Sequence, residues 1–231
     1  MSLPPVEIPL GAMRFNSDSQ KLEYWNGSAW FQIHTFSPNL DGGARGCFGG
    51  GFPSSVDTIE YITISTQGNA IDFGNLTSSK GSFDAAGSKT RGFWFGGESP
   101  NKDEIDFITF SSTGNATDFG NLTVARFGTT AGSNSTRAVI AGGNYPKTNV
   151  IDYITMSSSG NAQDYGDLIT GLRRSNAGNS PTRLIFYGGS DSPGTTALTT
   201  VQFTTIATLG NTENFGDTFT GGYSRAKGAI C

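Results

Sequence analysis

One seven-residue stretch constrains this chain more than any other. Arg91-Gly-Phe-Trp-Phe-Gly-Gly97 recurs as Arg45-Gly-Cys-Phe-Gly-Gly-Gly51, Arg137-Ala-Val-Ile-Ala-Gly-Gly143 and Arg183-Leu-Ile-Phe-Tyr-Gly-Gly189. The four arginines stand at 45, 91, 137 and 183, a constant step of 46 residues. A fixed period of this length marks a chain built from stacked structural repeats. Any recurring residue therefore has to be read first as part of a scaffold.

Each repeat reads as four strands. The first begins at the recurring Arg and ends in Gly-Gly, where glycine permits a sharp exit. The second is Thr58–Ile64, Ile105–Phe110, Ile151–Met156 and, less closely, Thr200–Ile206. Its β-branched and aromatic residues on both faces predict a strand covered on both sides. Gly-Asn turns at 68, 114, 160 and 210 then lead into Asp72–Leu76, Asp118–Leu122, Asp164–Leu168 and Asn214–Asp217. The fourth strand is Lys80–Gly87, Arg126–Gly132, Arg173–Gly178 and Arg225–Cys231. No helix is needed.

Before the repeats, Pro4, Pro5 and Pro9 make residues 1–10 an extended arm, since proline disfavours both helix and central strand. Residues 11–34 read as a three-stranded meander with turns at 17–20 and at Asn26-Gly-Ser28. Two domains follow: 1–40, arm plus meander, and 41–231, the repeats. Thirty-three glycines in 231 residues could signal low complexity, but regularly spaced apolar residues between them favour a turn-rich all-β fold. A net charge of −4 without any basic run argues against nucleic acid and anionic membrane as partners. No apolar run reaches membrane-spanning length, and the N-terminus lacks the basic and apolar regions of a secretory signal.

The order of Arg, apolar strand, Gly-Gly, Asp/Tyr-bearing strand and aromatic-bearing strand resembles a kelch-type β-propeller blade, with Phe73, Phe119, Tyr165 and Phe215 in the kelch tryptophan position. Asp106–Arg126 is similar to repeats in virion structural and tail-fibre-like proteins of tailed phages, notably cyanophages. Gly11–Trp30 is similar to a short module near domain starts in such fibre proteins. These resemblances imply a kelch-like β-propeller in a non-enzymatic virion protein on capsid or tail; the count of repeats makes it four-bladed, preceded by the meander. They also imply assembly in the host cytoplasm, many copies per particle and contacts with other virion proteins. A host-surface glycan, a tail-fibre receptor-binding role and a stand-alone carbohydrate-binding propeller are the further readings. No cofactor, metal or membrane insertion is expected.

The repeats open on the Gly-Gly strand, with no earlier copy of the fourth strand, so Arg225–Cys231 is expected to supply it and close the ring. The alternative makes the meander a fifth sheet. Closure would set Cys231 opposite Cys47, either as a disulfide or as two buried thiols; a reducing cytoplasm favours thiols.

Candidate sites are few. His34 is the only histidine, which removes His-rich metal sites and paired-His chemistry. Asp72, Asp118 and Asp164 could ring a cation, but Asp beside a Gly-Asn turn more often bonds local backbone. Arg45, Arg91, Arg137 and Arg183 could ring an anion; the structural reading has each hold loop carbonyls or an Asp, with Glu60, Asp106 and Asp152 as the acids. For attachment the candidates are Pro4, Pro5, Tyr24, Trp25, Trp30 and Phe31. For loop recognition they are Tyr145, Lys147 and Asp191, on loops that vary while the strands repeat.

Overall fold

The structure, a computed structural model, describes residues 8–17, 21–32, 45–51, 54–144, 147–190 and 197–218. It is all-β: eighteen strands form five small antiparallel sheets, and no helix occurs among the described residues. The chain divides into two compact units, Met1–Asn39 and Leu40–Cys231.

The first unit holds β1 (Met13–Asn16), β2 (Lys21–Trp25) and β3 (Trp30–Gln32), paired in that order. Asn26 organises the second turn: its Oδ1 accepts from the backbone N–H of Ser28 and Ala29, and Gly27 takes the left-handed φ of 98°. Met13 pairs with Tyr24, Phe15 with Leu22 and Tyr24 with Phe31. Side chains alternate along a strand, so these five share one face, and Arg14, Glu23, Trp25 and Trp30 share the other.

The second unit begins with a three-stranded sheet of β4 (Arg45–Gly49), β5 (Val56–Thr63) and β6 (Ile71–Lys80). Three four-stranded sheets follow. They are β7 (Asp84–Gly87) to β10 (Thr117–Asn121), with β8 (Arg91–Gly97) and β9 (Lys102–Thr109) between; β11 (Thr130–Ser133), β12 (Arg137–Ala141), β13 (Val150–Thr155) and β14 (Gln163–Asp167); and β15 (Asn176–Asn179), β16 (Arg183–Tyr187), β17 (Thr200–Thr205) and β18 (Glu213–Asp217). Within each sheet the strands pair in chain order. In the three four-stranded sheets the last strand of one repeat thus opens the next repeat's sheet and the arginine strand sits second, whereas in the first sheet the arginine strand β4 stands at the edge.

Two sequence expectations change here. The fourth strand is shorter than its spacing suggested, because the residue at its expected start closes back on its own repeat. The carbonyls of Lys80, Arg126 and Leu172 accept from the N–H groups of Gly51, Gly97 and Gly143. Leu172, not Arg173, therefore holds the third copy of this position. The expected last strand, Arg225–Cys231, lies outside the described residues.

The apolar cores lie between sheets. Ile59, Phe73 and Leu76 of the first meet Trp94 and Ile108 of the second. Phe93, Phe95, Ile105 and Phe119 of the second meet Ile140 and Ile154 of the third. Val139, Ile151 and Tyr165 of the third meet Leu184, Phe186 and Ile206 of the fourth. Strand β8 feeds two cores at once, Trp94 on one face and Phe93 and Phe95 on the other, which explains its unbroken apolar run.

A β-bulge builds each junction. In the second sheet Asp118 pairs with Asp106 and Gly120 with Ile105, so Phe119 is the extra residue and turns into the core. Gly120 follows at φ 145°, and a Cβ there would stand 2.5 Å from the carbonyl oxygen of Gly160 in the next sheet. Only glycine lets the two backbones approach this closely.

Candidate functional site: the seams between sheets

Three seams, formed between successive sheets of the second unit, repeat one set of contacts. The aromatic carbonyls of Phe73, Phe119 and Tyr165 accept from Gly114, Gly160 and Gly210 of the next Gly-Asn turn. The turn asparagines complete the clasp: Oδ1 of Asn115, Asn161 and Asn211 accepts from the backbone N–H of Asn75, Asn121 and Asp167 at 2.9–3.0 Å. The sequence marked these Gly-Asn pairs as turns only; their second role, gripping the preceding sheet, is a tertiary property.

The recurring arginines belong to the same seams. Arg45, Arg91, Arg137 and Arg183 stack on Tyr61, Phe107, Tyr153 and Phe203 at 4.4–4.9 Å from the ring centroids. Nη1 of Arg45, Arg91 and Arg137 donates to the carbonyls of Phe110, Met156 and Ile206 in the next sheet. The guanidinium groups thus bridge sheets through carbonyls. Their expected pairing with Glu60, Asp106 and Asp152 does not occur.

Those acids go elsewhere. Asp106 meets Lys80 at 3.0 Å and Asp152 meets Arg126 at 3.0 Å, all four side chains fully buried. Thr77 and Thr123 each donate a backbone N–H and a hydroxyl to the Asp of their seam. Burial lowers the pKa of Arg126, against the pull of the adjacent Asp152. In the third seam the pair is neutral: Leu172 replaces the cation and Gln202 the acid, Gln202 accepting from the N–H of Ile169 at 2.7 Å. Glu60, the first repeat's counterpart, is exposed. Lys80 and Arg126 were missed as functional positions in the sequence. Their signal was present, because cation and acid disappear together at one seam, Leu172 from the third repeat and Gln202 from the fourth.

Asp118 and Asp164 do bond local backbone, accepting from Gly120 and Gly166 at 3.0 and 3.1 Å. Among the described residues no group of three or more His, Cys, Asp or Glu could hold a metal ion. Cys47 is a half-buried free thiol, its pKa raised by burial and only partly offset by Arg45. Lys147 is exposed on its loop. Pro4, Pro5, His34, Tyr145, Asp191 and Cys231 lie outside the described residues.

In the first unit the candidate aromatics pair across strands, Tyr24 with Phe31 at 5.9 Å and Trp25 with Trp30 at 5.6 Å. They fall on opposite faces. Arg14 stacks on Trp30 at 4.2 Å and pairs with Glu23 at 2.8 Å, so that face is tied together. The other face, Met13, Phe15, Leu22, Tyr24 and Phe31, is exposed throughout.

Two seams also carry a small cavity. One, of about 210 Å³, lies between Phe73 and the turn 107–117; the other, of about 150 Å³, lies between Phe119 and the turn 153–163. Every lining residue of the first has its counterpart 46 positions later in the second.

The fold and these surfaces define a class: an all-β repeat scaffold whose sheets are clasped by backbone, arginine and buried polar contacts. No model of a known protein family matches the chain, and no curated protein matches it.

Proposed function

We propose that this chain is a non-enzymatic structural protein of a tailed-phage particle. Its meander unit attaches it to another virion protein on capsid or tail, and the repeats form a kelch-like four-bladed propeller turned outward. The observation that carries the attachment is the exposed apolar face of Met13, Phe15, Leu22, Tyr24 and Phe31. Clustered apolar side chains at a surface are suited to a protein–protein contact. Many copies, assembled in the host cytoplasm, would present the variable loops to host surface or neighbours, with no nucleic acid and no membrane insertion.

Ring closure is supported by the two ends of the array, which carry complementary halves of a fourth seam. Phe215 is 55% exposed, whereas Phe73, Phe119 and Tyr165 are 2–3% exposed. Glu60 is exposed, whereas Asp106, Asp152 and Gln202 are fully buried. The carbonyl that continues the series Phe110, Met156 and Ile206 is that of Ile64, and the arginine that would reach it is Arg183. A cavity of about 200 Å³ beside β4, bounded by Arg45, Cys47 and Ala85–Gly87, supports this reading by leaving space along that edge of the first sheet.

The strand expected to close the ring, Arg225–Cys231, lies outside the described residues, and with it the Cys231 expected to face Cys47. The reading keeps both as thiols; an internal disulfide in the non-reduced intact mass would contradict it.

Mass spectrometry of purified particles tests the function. The chain should be found in stoichiometric amounts beside the major virion proteins, and its absence from particles ends the reading.

A further inference from the structure

We infer that the repeated seam cavity is a binding niche for one uncharged sugar unit, present once per seam. The two cavities are chemical copies. Each has a half-buried aromatic ring, Phe107 or Tyr153, beside the hydroxyls of Thr109 and Ser112 or Thr155 and Ser158. Each adds the turn amide, Asn115 or Asn161, and an exposed polar residue, Thr117 or Gln163.

No Asp, Glu, Lys, Arg or His lines either cavity, so neither is built to recognise a charged ligand. Hydroxyl and amide groups both donate and accept, which matches a polyol. Arg91 and Arg137 cover one face of Phe107 and Tyr153 at 4.9 and 4.4 Å, so each ring offers a sugar's C–H groups its uncovered apolar edge. Volumes of about 210 and 150 Å³ fall below those of drug-sized pockets and suit one ring.

The architecture preorganises the niche. Oδ1 of Asn115 and Asn161 is held by the backbone of the preceding sheet, so each amide is fixed while its Nδ2 remains a donor. Tyr153 donates its hydroxyl to Oε1 of Gln163 and orients that side chain. The fourth repeat departs from the pattern: Thr208 keeps the hydroxyl of Ser112 and Ser158, but Leu209 replaces Thr113/Ser159 and Glu213 replaces Thr117/Gln163, adding bulk and charge. The second and third repeats are therefore the binding copies.

A single niche of this size binds weakly, in roughly the millimolar range. Two on one scaffold favour a polymer with repeating neutral sugars over its monomer, by about a hundredfold when both engage. The chemistry rests on the niche alone; its role in host contact rests on the display reading above, and particle mass spectrometry tests that separately.

The experiment uses the full chain. Amide NMR shifts of Gly114 and Gly160 are followed on titration with glucose, galactose and N-acetylglucosamine, with glucuronate and sialic acid as acidic controls. An array of neutral and acidic glycans is probed in parallel. A Ser112→Trp/Ser158→Trp variant fills both niches at exposed positions, and its melting curve checks the fold. The expected result is saturable shifts at both glycines with a neutral sugar, and a neutral-glycan signal that falls at least about tenfold in the filled variant. Three results overturn the inference: no neutral sugar or glycan bound, binding that survives filling, or binding to acidic glycans alone.

Discussion

Replacing Arg126 by Leu isolates the chemistry that joins the second and third sheets. Asp152 would keep the N–H and hydroxyl of Thr123, at 3.1 and 2.6 Å, and lose the guanidinium at 3.0 Å. Removing one partner of a buried ion pair costs about 3–5 kcal/mol, and the retained threonine bonds place this case near 3 kcal/mol. The molecule itself contains the neutral solution, because Leu172 and Gln202 fill the same two positions one seam later, with Gln202 bonded to the backbone of residues 169 and 170. The double variant Arg126→Leu/Asp152→Gln should therefore fall within about 1 kcal/mol of the parent. Urea unfolding of parent, both single variants and the double gives the cycle, provided circular dichroism and tryptophan fluorescence report coincident midpoints. A coupling of about 2 kcal/mol is expected. The reasoning fails if Arg126→Leu alone costs under about 1 kcal/mol, or if the double variant costs as much as the two singles added.

Two other outcomes follow from the same geometry. The hydrogen bond from Arg14, with that from Asn16, holds the carboxyl of Glu23 below its ordinary 4.5. Its contribution to the meander is complete above that value and is lost as pH falls through the lower, folded value; an acid titration followed by tryptophan fluorescence should show this step, absent in Glu23→Gln. Gly120→Ala adds backbone strain at φ 145° and a 2.5 Å clash with the next sheet, about 3 kcal/mol together. Gly216→Ala carries the same strain at φ 141° with nothing within 4 Å among the described atoms, so a cost equal to that of Gly120→Ala supports the fourth seam, and a cost near 1 kcal/mol refutes closure.

The strands were legible in the sequence because their causes are local. Alternation in Tyr24 and its neighbours, the Asn26-Gly turn and the unbroken apolar run of Phe93–Phe95 each reflect backbone geometry within a few residues. The 46-residue period carried the rest, marking the arginine strand as scaffold, but it left loop carbonyls and acids both open as the arginines' partners; the structure gives the carbonyls. The pairing of Asp106 and Asp152 was misread because periodicity aligns residues within one sheet, while these acids are satisfied across a seam by the preceding repeat. Comparing the repeats as a small family would have found it: Lys80 with Asp106, Arg126 with Asp152, then Leu172 with Gln202. The third copy of the fourth strand was read as starting at Arg173 for a related reason. Residue type was matched, whereas the distance from the bulged aromatic determines the position and gives Leu172. The seam cavities left no local signature, since each needs an aromatic from one sheet and a turn from the next.

The unequal seams also bear on how such similar repeats keep their order. Strand sequences like Ile105–Phe110 and Ile151–Met156 are close enough for one sheet to dock in another's place on apolar grounds alone. The buried polar row is where they differ. A sheet carrying Asp106 or Asp152, set against the Leu172 position, would bury a carboxylate without its cation. The sheet carrying Gln202, set against Lys80 or Arg126, would bury a cation without its acid. Either mismatch costs several kcal/mol, a large share of a domain's whole stability. Ion pairs that contribute little net stability against a well-packed neutral pair can still exclude the wrong neighbour, and in near-identical repeats that exclusion has more to act on than in an irregular fold.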